Sequence, residues 1–86
     1  MMTVRLSTKF STAFKVGTKK YVAYLRRPDL IEVYGSDIKP EFPMLLQFIN
    51  DENECEWDFS EEYFKSELKT YKKNLKAMNK KLEDLR

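Results

Sequence analysis

A stripe of large apolar side chains near the C-terminus constrains this fold more than any other feature of the sequence. Between residues 61 and 86 these side chains recur at alternating intervals of four and three residues. Such heptad spacing is typical of a helix that buries a narrow seam against a neighbouring element. Residues 60–86 contain neither Gly nor Pro. The sequence therefore predicts one long C-terminal helix, with a stripe formed by Phe64, Leu68, Tyr71, Leu75, Met78, Leu82 and Leu85.

Three local signals mark the start of this helix. Ser60 is a favourable N-cap, because its hydroxyl can accept a hydrogen bond from an N–H of the first turn. Phe59 and Phe64 occupy the two positions of a hydrophobic staple. Glu61 and Glu62 place negative charge in the first turn, where the helix dipole favours it. We therefore expect the helix to begin directly after Ser60.

The first part of the chain carries the pattern of β-strands. From residue 2 to residue 16, apolar and threonine side chains alternate with mostly polar ones, which is typical of strands with one buried face. This run is much longer than the usual strand of about five or six residues. We therefore expect a break near Ser11 and Thr12, giving two strands or one bent strand.

Two more strands are predicted beyond a turn at Gly17. Residues 21–25 and 30–34 are rich in aromatic and branched side chains. Pro28 suits the turn that separates them. The simplest arrangement for residues 2–35 is a three-stranded antiparallel meander.

The segment from residue 37 to residue 53 is ambiguous. Pro43 suits the first position of a helix, which favours a short helix over residues 43–50. The same apolar run also fits a buried strand, although Pro40 and Pro43 exclude a central one. Residues 54–59 alternate again and predict a short strand with Cys55, Trp57 and Phe59 facing inward.

Together these elements predict an α+β fold. We expect a small antiparallel sheet of three or four strands packed against the long C-terminal helix. The chain of 86 residues is predicted to form a single domain, β-rich over residues 2–59 and helical over residues 60–86. Six Phe, five Tyr and one Trp supply the large apolar area that so short a chain needs for a core.

The composition argues against catalysis and against a bound cofactor. There is no histidine, and no nucleophile–base pair, metal-ligand spacing or glycine-rich loop stands out. The single cysteine, Cys55, lies between two glutamates, which raise the pKa of a thiol and reduce its reactivity. No disulfide within the chain is possible, and no signal peptide or membrane-spanning run is evident. We therefore expect a non-enzymatic protein without cofactors or a membrane partner, located in the reducing cytoplasm.

The helix stripe is the first candidate binding surface. Its first half, a wide aromatic face, is expected to cover the sheet of its own chain. The second half is narrower, and the predicted sheet is short, so we expect residues 75–85 to project and pair with another chain. The charges flanking the stripe do not clearly favour a parallel homodimer. The predicted self-association face consists of Leu75, Met78, Leu82 and Leu85.

A basic hairpin and an acidic strand are the other two candidates. The hairpin interleaves cations and an aromatic ring, which can neutralise phosphates and stack on bases. Solvated lysines that protect a sheet edge are the commoner reason for such a pattern. The candidate nucleic-acid contacts are Lys19, Lys20, Tyr24, Arg26 and Arg27.

The acidic strand lies in a block, residues 51–62, that holds seven acids and no base. Its spacing does not match a calcium-binding loop, and solvated acids at a strand edge and a helix start explain most of it. The functional alternative is docking on a basic partner through Glu54, Glu56 and Asp58.

The sequence therefore favours a protein-interaction module over an enzyme. We expect a small inhibitor or regulatory protein that occupies a surface of a larger partner protein and forms a homodimer through its C-terminal helix. The alternative is a nucleic-acid-binding protein that uses the basic hairpin. Small proteins of this kind are common among the accessory proteins of phages and mobile elements, but no residue establishes that origin.

Overall fold

Six strands followed by one long helix form an α+β fold, as the sequence predicts. A computed structural model describes the chain from Met1 to Asp84, and its side chains as far as Lys81. The strands are β1 (Met2–Ser7), β2 (Thr12–Val16), β3 (Lys19–Arg27), β4 (Leu30–Gly35), β5 (Met44–Gln47) and β6 (Glu54–Phe59). The helix, α1, spans Glu61–Asp84.

The strands form two antiparallel sheets. The larger sheet has the order β2-β3-β4-β5, and the smaller one pairs β1 with β6. The expected break near Ser11 and Thr12 is confirmed, because β1 ends at Ser7 and β2 begins at Thr12. The expected meander is only partly right. It contains β2, β3 and β4, whereas β1 turns away and places Val4 opposite Trp57 of β6.

The predicted short helix over residues 43–50 is wrong, because the segment forms strand β5. Met44 and Leu46 are buried while Leu45 and Gln47 are exposed, which is the period-two pattern of a strand. β5 pairs with β4 in register, with Met44 opposite Val33. Pro43 therefore precedes an edge strand instead of starting a helix, which satisfies its restriction to sheet edges.

The start of α1 matches the sequence signals. The Ser60 hydroxyl accepts a hydrogen bond from the Tyr63 N–H at 3.1 Å, so Ser60 is the N-cap. The rings of Phe59 and Phe64 lie 5.9 Å apart, as a hydrophobic staple requires. This contact fixes the angle at which β6 enters the helix.

Phe64 lies at the centre of an aromatic core. It is fully buried, and its ring centroid lies 4.8 Å from that of Tyr21 and 5.5 Å from that of Phe14. Trp57 and Phe59 of β6 stack on each other with ring centroids 4.0 Å apart, and both rings lie edge-on to Phe14. One helix residue thus joins both sheets, because β2 and β3 belong to one and β6 to the other.

Candidate functional site

Burial of α1 decreases along its length. Phe64 and Leu68 are buried, Tyr71 and Leu75 are half-buried, and Met78 is 39% exposed. The sheets therefore cover the first half of the apolar stripe and leave part of the second half open. Of the predicted self-association face, the side chain of Leu82 and all of Leu85 lie outside the described residues.

An apolar groove lies between the second half of α1 and strand β5. We call it the β5–α1 groove, and it encloses about 300 Å³. Glu41 and Asn74 are among its polar lining residues, and Leu45, which lines it from β5, is 55% exposed. A second hollow, lined by Glu67 and Thr70 among others, continues it toward the start of the helix. The apolar lining of the β5–α1 groove consists of Phe42, Pro43, Leu45, Tyr71, Leu75 and Met78.

Tyr71 fixes the wall of the groove. Its hydroxyl donates a hydrogen bond to the carbonyl of Phe42 at 2.5 Å and accepts one from the N–H of Lys39 at 3.1 Å. These bonds hold the segment before β5 against the helix. The groove is therefore preformed, because its two sides are tied together through one side chain.

Asp37 ties strand β3 to α1 beside the core. One of its carboxylate oxygens lies 3.2 Å from the Lys19 ammonium, 3.5 Å from that of Lys72, and accepts a hydrogen bond from the Tyr21 hydroxyl at 3.2 Å. Burial alone would raise the pKa of Asp37, but the bond from Lys19 and the two ammonium charges hold that pKa below 3.8. Burial and the neighbouring carboxylate raise the pKa of Tyr21 to about 12.

Asp37→Asn is expected to destabilise the fold by about 1–2 kcal/mol at neutral pH, because it leaves two ammonium groups without their counter-charge. Since the folded-state pKa of Asp37 is lowered, its contribution is complete above about pH 4 and is lost as the pH falls through the folded value. Urea unfolding at pH 7 and pH 3, followed by circular dichroism, should show a smaller difference between variant and wild type at pH 3. Asp29→Asn is the control, because that carboxylate is 66% exposed; an equal loss in both variants would contradict the role of Asp37.

The structure separates the five predicted nucleic-acid contacts. Lys20, Tyr24 and Arg26 alternate with the buried side chains of β3 and lie on the outer face of the larger sheet. Lys19 instead pairs with Asp37, and Arg27 lies 3.2 Å from Asp29. The predicted set is therefore not a single surface.

The outer face contains residues that were not among those candidates. Tyr34 of β4 lies edge-on to Tyr24, with ring centroids 5.4 Å apart. Glu32 accepts hydrogen bonds from the Tyr34 hydroxyl, at 2.5 Å, and from Arg26. The bond from Tyr34 is the main cause that lowers the pKa of Glu32, and it raises the pKa of Tyr34. The alternation of β4 is the signal that could have placed Tyr34 on this face.

The three acids of the predicted docking strand lie together on the exposed face of β6. Two of them already interact with β1: Glu56 lies 3.9 Å from Arg5, and Asp58 accepts a hydrogen bond from the Thr3 hydroxyl at 2.5 Å. Glu54 lies opposite Ser7 in the same register. Part of the negative charge is therefore balanced within the small sheet.

Cys55 belongs to β6 and is half-buried, and burial together with the charge of Glu52 raises the pKa of its thiol. A raised pKa reduces the thiolate fraction and so the reactivity of the thiol.

The described residues offer no group of three or more His, Cys, Asp or Glu side chains that could hold a metal ion. In the same part of the chain no helix has the length and apolar character needed to cross a lipid bilayer. Comparison with protein-family models, with curated proteins and with solved structures finds no match to this chain.

Proposed function

We propose that this protein is a non-enzymatic protein-interaction module that self-associates through the β5–α1 groove and occupies a surface of a larger protein, as a small inhibitor or regulatory protein does. The observation that carries the proposal is the groove itself. Leu45 is 55% exposed and Met78 is 39% exposed, although both belong to regular secondary structure. Fully burying an exposed Leu or Met side chain contributes about 1.5–3 kcal/mol, so a partner that covers these partly exposed side chains gains a fraction of that energy from each.

The open edge of β5 supports the same proposal. β5 is an edge strand of the larger sheet. The N–H of Phe48, directly after β5, donates a hydrogen bond to the carbonyl of Asp29 at 3.0 Å, which shows which backbone positions point toward β4. Because hydrogen-bonded positions alternate along an antiparallel strand, Leu45 and Gln47 direct their backbone groups away from β4. An open edge beside an apolar groove offers both backbone hydrogen-bonding groups and apolar surface to another chain.

The charge distribution of α1 favours a second copy of the chain as the occupant. Glu67, Asn74 and Lys81 follow one another at intervals of seven residues and share the side of the helix that borders the groove. All the lysines between residues 65 and 80 lie about 100° or more around the helix axis from Asn74. Two copies can therefore approach on this side without bringing those lysines together.

An antiparallel arrangement of the two helices makes this side self-complementary. Glu67 and Lys81 lie about 10.5 Å before and after Asn74 along the helix axis. With a two-fold axis at Asn74, Glu67 of each copy faces Lys81 of the other, and Leu75 and Met78 enter the opposite groove. A symmetric dimer requires such self-complementarity of one surface patch.

The larger partner is proposed to dock on the acidic face of β6. Glu54, Glu56 and Asp58 are exposed there, and a dimer would present two such faces to a basic surface. Electrostatic complementarity of this kind accelerates association and selects partners. The lone half-buried cysteine fits a reducing, cytoplasmic setting for this interaction.

A charge-exchange series tests the antiparallel dimer. In sedimentation-equilibrium experiments, Glu67→Lys and Lys81→Glu should each weaken the wild-type dimer about three- to tenfold, because each replaces two attractions with two repulsions of about 0.2–1 kcal/mol. The double variant should recover most of the wild-type affinity, because the opposite charges then meet again in exchanged positions.

The control for this series is Lys69→Glu with Lys73→Glu, on the opposite side of α1, which should leave the dimer unchanged. Leu75→Asp with Met78→Asp should give a folded monomer. A wild-type protein that is monomeric at several hundred micromolar, or a double variant no better than the single ones, would contradict the proposed dimer.

A further inference from the structure

We propose that the outer face of the larger sheet binds single-stranded nucleic acid. This face is built by the outward side chains of β2, β3 and β4, and it adjoins the β5–α1 groove at Leu45, which lies opposite Glu32. Its contacting residues are Lys15, Lys20, Val22, Tyr24, Arg26 and Tyr34.

A pair of lysines provides the anion contact. Lys15 of β2 lies directly opposite Lys20 of β3 in the strand register, and both side chains are exposed on the outer face. Like charges at directly opposite positions destabilise a sheet. Among the described residues neither lysine lies within salt-bridge distance of an acid. A phosphate between the two ammonium groups would replace this repulsion with two attractions.

An aromatic surface lies next to the lysine pair. Val22 and Tyr34 form the next cross-strand pair on the same face, two residues along from Lys20. Tyr24 lies edge-on to Tyr34, and the guanidinium of Arg26 lies 5.0 Å from the centre of the Tyr24 ring. These contacts hold the two rings in place, so that a base can stack on them without a large loss of side-chain entropy.

The charge of this face suits an anionic polymer. Glu32 is the acid among the outward residues of β3 and β4, and its carboxylate already pairs with Arg26 and bonds to Tyr34. Lys15 and Lys20 therefore leave the face with an excess of positive charge.

A single strand fits better than a duplex, because the rings can reach the flat face of a base only where that base is unstacked. A duplex would contact the cations alone. An acidic polypeptide could also meet the lysines, but it would gain nothing from stacking.

Fluorescence anisotropy with a labelled 12-nucleotide single strand of mixed sequence, as DNA and as RNA, tests this proposal against the matching duplexes. The wild-type protein should bind at least one of the two single strands more tightly than its duplex. Lys15→Glu with Lys20→Glu should reduce that affinity at least tenfold. The plot of log affinity against log salt should also lose about 1.4 units of slope, since each phosphate contact on a single strand contributes about 0.7. Tyr34→Leu, which keeps the apolar bulk, should reduce the affinity at least fivefold by removing the stacking surface.

The control variant Lys69→Glu with Lys73→Glu changes the net charge equally but lies on α1, so its affinity should fall much less. Leu75→Asp with Met78→Asp should retain binding, which separates this proposal from the proposed dimer. The inference is overturned if neither single strand binds, or if both lysine pairs matter equally. It is also overturned if Tyr34→Leu has no effect on affinity and poly-L-glutamate competes with the labelled oligonucleotide as effectively as unlabelled single strand does. That pair of results would assign the face to an acidic protein.

Discussion

Replacing Phe64 by Ala is expected to lower the free energy of unfolding by about 3–5 kcal/mol, a large share of the stability of so small a domain. Phe64 is fully buried and contacts Phe14, Tyr21 and Phe59. These three rings belong to different strands in two sheets, so the cavity cannot close by moving one neighbour. Urea denaturation followed by far-ultraviolet circular dichroism measures the loss directly.

Tyr63→Ala is the matched control for this substitution. Tyr63 is adjacent in the same helical turn and aromatic as well, but it is 42% exposed. Its removal should cost at most about 1 kcal/mol, because surface substitutions away from special features have small effects. If both variants lost similar stability, the effect would come from helix propensity and not from the aromatic core.

The elements that were predicted correctly are those with strong local signals. The start of α1 is determined by Ser60 and by the nearby Phe59 and Phe64, all of which lie within six consecutive residues. Gly17 fixes the first hairpin turn, where the backbone adopts a φ of 63° that favours glycine. Such signals depend on neighbours along the chain and not on the rest of the fold.

The pairing of β1 with β6 could not be predicted in this way. Alternation shows that Val4 and Trp57 face inward, but it does not identify the strand that each one pairs with. The paired residues lie 47 to 57 positions apart in the sequence, from Ser7 with Glu54 to Met2 with Phe59. The strand conformation of β5 could not be predicted for a different reason. Four residues are too few for periodicity to distinguish a strand from a helix.

The candidate surfaces were predictable to different degrees. The narrowing of the apolar stripe indicated that Met78 would be more exposed than Phe64 and Leu68. The groove beside it could not be foreseen, because its wall depends on the bonds from Tyr71 to Phe42 and Lys39, about thirty residues away. The Lys15–Lys20 pair was within reach of the sequence, since the short turn at Gly17 fixes which residues of the hairpin lie opposite each other.

Gly35→Ala is expected to destabilise the protein by about 3 kcal/mol, at the upper end of the usual cost of overpacking. A Cβ at this position would lie 2.5 and 2.8 Å from two carbons of the Tyr21 ring, and 3.3 Å from a carboxylate oxygen of Asp37. The ring has no room to retreat, because Tyr21 packs on Phe64 and is held through its hydroxyl by Asp37. Gly35 is therefore required by close approach and not by its backbone angles.

The expected strain extends from Gly35 to the proposed binding groove. Ile38 donates its N–H to the carbonyl of Gly35 at 3.1 Å, so the glycine also anchors the segment that leads to Phe42 and the groove wall. Gly35→Ala should therefore weaken self-association as well as stability, under conditions where the variant is still folded. Gly17→Asn is the control, because no atom lies within 4 Å of a Cβ there and asparagine tolerates a positive φ. Unfolding curves and sedimentation of the two variants should differ sharply. A Gly35 variant as stable as the Gly17 variant would mean that the Tyr21 ring can move. It would also mean that the position of the groove wall does not depend on Gly35.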